Sequence, residues 1–137
     1  MNLFQLIYTS TLHDADESVL SSIHSHAVRN NTAKTVTGNL LYYKGRFIQV
    51  LEGDEKVVRH VYDKIKQDPR HDNVMLLQEK SIAERDFSHW NMGFTHLLES
   101  ELTQTPAYKN YLESEFLTMQ QNPEMALTIL KETFNSL

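Results

Sequence analysis

A glutamine inside an apolar strand has to be bonded to something, and "GRFIQVLEG", residues 45–53, places Gln49 among Phe47, Ile48, Val50 and Leu51. Alternation along a strand puts Gln49 on the same face as Phe47 and Leu51. A primary amide brings two donors and an acceptor, and leaving them unpaired in a core costs free energy. Other residues of useful chemistry fall where strands end or helices stop. Tyr8 closes the apolar run "LIY", Asn30 and Asn31 end a helical stretch, and Trp90 and Met92 open a late strand. "DPRH", residues 68–71, joins a carboxylate to Arg70 and His71. It is either a solvated turn or a holder for the polar end of a ligand. Each of the others also has a purely structural use: a buried Tyr bonding a carbonyl, an Asn pair as a helix C-cap, Trp and Met as core filler.

Several chemistries are argued against. The chain has seven His and no Cys. Thiolate metal sites, disulfides and cysteine nucleophiles are therefore excluded. His24 and His26 are two apart on a helix and diverge, and the remaining His show no ligand spacing, so no metal is expected. No G-x-S-x-G elbow and no phosphate-binding glycine loop is present. Thirteen basic against eighteen acidic side chains give a formal charge of −5, which disfavours nucleic acid as a partner. The start lacks a basic signal-peptide region, and no apolar run approaches the ~20 residues of a membrane span. A cytoplasmic protein is expected.

The elements that must position these residues follow from periodicity. "LFQLIYTS" (3–10) reads as a strand. Residues 14–31 form an amphipathic helix with Val19, Leu20, Ile23 and Ala27 at helical spacing, acidic at its start and basic near its end. Residues 35–53 read as a hairpin turning at Lys44-Gly45. Asp54 caps a second helix whose stripe is Val57, Val58, Val61, Tyr62 and Ile65, and Asp68-Pro69 stops it. Residues 73–82 and 88–97 supply two more strands. The order β-α-β-β-α-β-β predicts an α+β, ferredoxin-like sandwich with two helices on one face of a mainly antiparallel sheet. Two further amphipathic helices are expected in the tail, 98–137. The first carries Tyr108, Tyr111, Leu112, Phe116 and Met119. The second opens at Asn122-Pro123 and continues through Ala126, Ile129 and Leu130. They dock on the open sheet face, on a second copy or on a partner.

In order along the chain, "LIYTS", "RNN" ahead of "VTGNLLYY", "GRFIQVLEG", "DPRH" and "FSHWNMGF" closely resemble the BLUF family of blue-light sensors. The resemblance covers roughly residues 2–97. It implies an FAD chromophore whose ring lies between the helices that follow the first and third strands. It implies that Gln49 bonds both the flavin and Tyr8, forming the photochemical switch with Trp90 and Met92. Asn30 and Asn31 would hold the ring's polar edge. Asp68, Arg70 and His71 would lie near that edge and the ribityl chain, and Ile23 and Ile65 would wall the slot. The expected unit is a flavin-binding domain, 1–97, with the two-helix extension, 98–137, as its oligomer and output surface.

The resemblance further implies a photoreceptor rather than an enzyme, a homo-oligomer that signals to a downstream regulatory protein. The rivals are a small flavin-dependent enzyme of the same fold and a flavin-free interaction module. Two positions depart from the family pattern. Ala27 stands where some members carry Ser, and Asn39 stands where an aliphatic is usual, which predicts an edge or surface location for Asn39.

Overall fold

The computed structural model describes residues 3–12, 21–25, 35–87 and 93–135. Strand β1 (Leu3–Leu12) is followed by helix α1, described over residues 21–25. Then come β2 (Thr37–Tyr43), β3 (Arg46–Asp54), α2 (Glu55–Gln67), β4 (His71–Ser81) and β5 (Gly93–His96). A 3-10 turn, Glu99–Leu102, leads into α3 (Pro106–Leu112), α4 (Phe116–Gln121) and α5 (Pro123–Asn135). The five strands form one sheet in the order β4-β1-β3-β2-β5. All neighbours are antiparallel except β2 and β5.

Local chemistry explains most boundaries. The β2–β3 turn has positive φ at both Lys44 (44°) and Gly45 (83°), the conformation that a tight two-residue hairpin requires. Asp54 caps α2 by accepting from the Lys56 backbone N–H, and the helix ends where the Asp68 N–H bonds the Ile65 carbonyl at 3.1 Å. β4 begins two residues earlier than the periodicity indicates, so His71 is its first residue and not part of the turn.

The central strands are buried on both faces. One face meets α1 and α2 through Phe4, Leu6, Leu40, Leu51, Val58 and Val61. The tail covers the other face, through Tyr111, Leu112, Met119, Ala126, Ile129 and Leu130 against Ile7, Leu41, Ile48 and Val50. Of the docking sites the periodicity left open for the tail, its helices occupy the open sheet face. A helix alone cannot keep such a stripe dry, so most of its stability comes from this packing.

The first expected tail helix is divided in two. Arg46 of β3 donates to the carbonyls of Leu112 and Ser114, the latter at 2.7 Å, and its guanidinium lies 5.0 Å from the Phe116 ring centre. Those carbonyls end α3, so the guanidinium satisfies the helix end and fixes the bend before α4. Asn39 is also not at an edge. It lies on β2, between β3 and β5, and is fully buried because the tail covers its face. No helix among the described residues is long and apolar enough to cross a membrane.

Candidate functional site

Strands β1 and β3 place Tyr8 and Gln49 directly opposite one another in the antiparallel register. Directly opposed side chains share a face, and here it is the face covered by α1 and α2. Tyr8 is 1% exposed and Gln49 3%, and the phenol donates a short hydrogen bond to Gln49 Oε1. Tyr62 of α2 lies against Tyr8 with its ring centre 5.5 Å away. Burial holds the Tyr8 phenol far above its ordinary pKa, and the neighbouring Tyr62 and Asp68 push the same way. Tyr8 is therefore a neutral donor throughout the physiological range.

The turn after α2 closes the same face. Asp68 accepts from Arg70 Nε and from Arg70 NH2, at 3.0 and 2.6 Å, and also from the Arg70 backbone N–H. Burial acts to raise the Asp68 carboxyl, but the Arg70 hydrogen bonds and charge outweigh it and leave it below the usual range. Arg70 reaches across to Ser22 Oγ at 3.1 Å, which ties this turn to α1. His71 Nδ1 and Ser10 Oγ are hydrogen-bonded at 2.9 Å, and the ring packs on Phe47.

Burial lowers the His71 pKa; Asp68 opposes this and Arg70 adds to it. A base whose folded pKa is depressed adds stability above its unfolded value, lost as pH falls through the folded one. The melting temperature is therefore expected to drop on acidification from about pH 7.5 to about pH 5.5, across the unfolded His value of about 6.5. His71→Gln flattens that drop in thermal melts, and an unchanged profile in the variant would place the dependence on another group.

The structure thus brings together Tyr8, Gln49, Ile23, Ile65, Asp68, Arg70 and His71. Ile23 is buried on α1 and Ile65 half-buried on α2, against one shared apolar cluster. Asn30, Asn31, Trp90 and Met92, as well as Ala27, lie outside the described residues. Three neighbours escaped sequence reading: Ser10, Ser22 and Tyr62. Ser10 was findable, since it follows Leu6 and Tyr8 on the same strand face. Tyr62 was visible in the helix stripe but not distinguishable from core filler. Among the described residues no group of three or more His, Asp or Glu is placed to hold a metal.

These residues fit a flavin. Two helices offer apolar walls, and between them the strand floor carries a buried carboxamide. Tyr8 takes its oxygen, so its amide N–H donors suit the acceptor-rich edge of an isoalloxazine ring. The profile of a family described as "BLUF: Sensors of blue-light using FAD" matches residues 3–93. Photoactivated adenylate cyclase subunit beta of Euglena longa is 37% identical over 94 residues, which is 68% of this chain and 11% of that protein. The chain therefore spans about a tenth of that relative's length. Among solved structures, "BlrB - a BLUF protein, dark state structure" superposes with a TM-score of 0.78 at 27% identity, covering 99% of this chain and 98% of that one. "BlsA photo-activated state" gives a TM-score of 0.75 at 29% identity, covering 94% of each chain. The chain belongs to the BLUF family of blue-light sensors, and FAD is its cofactor.

Proposed function

We propose that the protein is a photoreceptor that signals by contact and not by catalysis, and that the Tyr8–Gln49 pair is its switch. The observation that carries this reading is the buried hydrogen bond from the Tyr8 phenol to Gln49 Oε1. FAD, when bound, supplies blue-light absorption and, once excited, a strong electron acceptor. Tyr8 is the donor on hand, and its Oη already rests its proton on the carboxamide. Tyr8 would give up an electron and pass its phenolic proton to Oε1; a proton leaving Nε2 and the electron would return to the Tyr8 oxygen on recombination, so the amide becomes its tautomer with Tyr8 restored. A half-turn of the side chain exchanges its ends directly. Either change leaves Gln49 with a donor where an acceptor stood, so the hydrogen bonds of the site are rewired without net chemistry. Ile23, Ile65 and Tyr62 keep water out, and Arg70, held by Asp68, joins α1 to the turn at the ring's edge. Asn30 and Asn31 hold the polar edge of the ring.

The rewired amide biases the last strand through Trp90 and Met92, and that strand leads into the tail. We assign residues 1–97 to flavin binding and 98–137 to output, through a homo-oligomer and a downstream regulatory protein in the cytoplasm. A signal of this kind needs two packings that differ in free energy, and rewiring supplies the difference.

The test is an absorption spectrum of the purified protein before and after a blue flash. A small, reversible red shift is expected, and a flavin spectrum without any shift would refute the switch. Tyr8→Phe is expected to bind FAD normally and lose the shift. It removes one hydroxyl and leaves the ring in place, so a normal shift in that variant would take the proton path away from Tyr8.

A further inference from the structure

The face of the sheet away from Tyr8 and Gln49 carries a polar arrangement of its own. Asn39 is fully buried on β2, and its Nδ2 donates to the Leu130 carbonyl of α5 at 3.1 Å. Its Oδ1 is buried and has no hydrogen-bond partner among the described residues. Thr95 Oγ1 on β5 is in the same condition. The parallel β2–β5 register pairs Asn39 with Gly93 and Leu41 with Thr95. Leu41 belongs to the tail-facing cluster, so Asn39 and Thr95 share that face on neighbouring strands, as diagonal neighbours. One is short of a donor and the other can give one. Diagonal spacing is close to the combined reach of two such short side chains, so a small displacement of β5 separates bonded from unbonded.

β5 is suited to such a displacement. Among the described residues it is an edge strand that pairs on one side only, and an edge strand, with half of its backbone groups unpaired, opens more easily than a central one. It also touches both layers. Phe94 lies 5.1 Å from the His24 ring of α1, on the flavin side, while Thr95 faces the tail. On α5, Leu130 is fully buried, and its carbonyl also accepts from Thr133 Oγ1 at 3.2 Å. The buried amide of Asn39 therefore stands between β5 and the helix that covers the sheet.

We propose that Asn39 is a positioning residue that transmits displacements of β5 to α5: when β5 shifts, the Thr95 hydroxyl closes onto Asn39 Oδ1, and the completed amide holds Leu130 more firmly through Nδ2. The two bonds reinforce one another because each polarises the same amide. An aliphatic at position 39 would pack at least as well and could do neither. The proposal rests on the sensor reading above only for what displaces β5.

The experiment is hydrogen–deuterium exchange of the full chain with bound FAD, in the dark and under continuous blue light, with the flavin spectrum recorded in parallel. Across Pro123–Asn135 the light and dark rates are expected to differ by about fivefold, the scale of one net hydrogen bond. Asn39→Leu and Thr95→Val are expected to keep the flavin red shift and to cut that difference below about twofold. Thr95→Ser, which restores the hydroxyl, is expected to return it. Should Asn39→Leu fold poorly, the Thr95 pair decides alone. The proposal is overturned if Thr95→Val keeps the wild-type difference, if the wild-type tail shows none while the red shift is present, or if Asn39→Leu abolishes the red shift. Absence of the red shift in the wild-type protein would overturn the sensor reading instead.

Discussion

Gln49→Leu is expected to keep FAD bound and to abolish the light-induced red shift. Leucine preserves the volume and apolar character of the strand face, and the walls from Ile23 and Ile65 and the turn at Asp68–Arg70 are untouched. On the proposed reading the flavin loses the hydrogen bonds of one residue, so affinity falls by about tenfold at most, or roughly 1.4 kcal/mol. The switch loses everything, because Gln49 Oε1 is the acceptor that the Tyr8 phenol has among the described residues. The same substitution leaves that phenol buried without an acceptor, which costs about 1–3 kcal/mol of stability. Two measurements check the expectation: a flash difference spectrum and a urea titration. A normal red shift in the variant would show that rewiring Gln49 is not the photochemical event. Loss of FAD altogether would show that the carboxamide holds the ring and does not merely read it.

The residues that carry this prediction were legible in the sequence because their neighbours are regular. Alternation in "LFQLIYTS" and "GRFIQVLEG" fixes the face of Tyr8 and Gln49, and Asp54, Lys44-Gly45 and Asp68-Pro69 mark the ends of elements by their own conformational preferences. What escaped reading depends on contacts between distant segments. Nothing in "YLESEFL" breaks a helix by itself; the break at Glu113–Glu115 comes from Arg46, a residue some seventy positions earlier that takes the free carbonyls. Asn39 stands where the family usually has an aliphatic, and the strand alone offers it only an edge or surface location. The tail covers that face, so the amide is buried instead and bonds a helix carbonyl. Glu52 and Gln5 alternate in step with Val50 and Ile7, and the tail-side face they share is buried. A carboxylate in that row was the signal.

Glu52→Ala is expected to cost about 3 kcal/mol of stability, lowering the melting temperature of this 137-residue chain by about 10 °C. The carboxylate is fully buried beneath the tail and accepts from three donors: Gln5 Nε2 at 2.8 Å, the Asp86 N–H at 3.0 Å and the Phe87 N–H at 2.8 Å. Removing it takes the acceptor from the Asp86 and Phe87 N–H groups, at about 1–3 kcal/mol each, while Gln5 Nε2 keeps its second bond, to Asp86 Oδ2 at 2.9 Å. The sum overstates the loss, because burial keeps this carboxyl costly to ionise and raises its pKa, with the nearby Asp86 carboxylate adding to the cost. Deleting the charge recovers part of that penalty. The loss is local in origin. Glu52 holds residues 86 and 87, the last described positions before the stretch with Trp90 and Met92. Asp86 in turn pairs with Lys131 of α5 at 3.4 Å. Lys131→Met removes only this half-exposed ion pair and is expected to cost below about 1 kcal/mol. The contrast between the two variants in urea titrations locates the anchor. Equal and small losses would mean that apolar packing of Phe87, and not the buried carboxylate, fixes the path of the chain into its last strand.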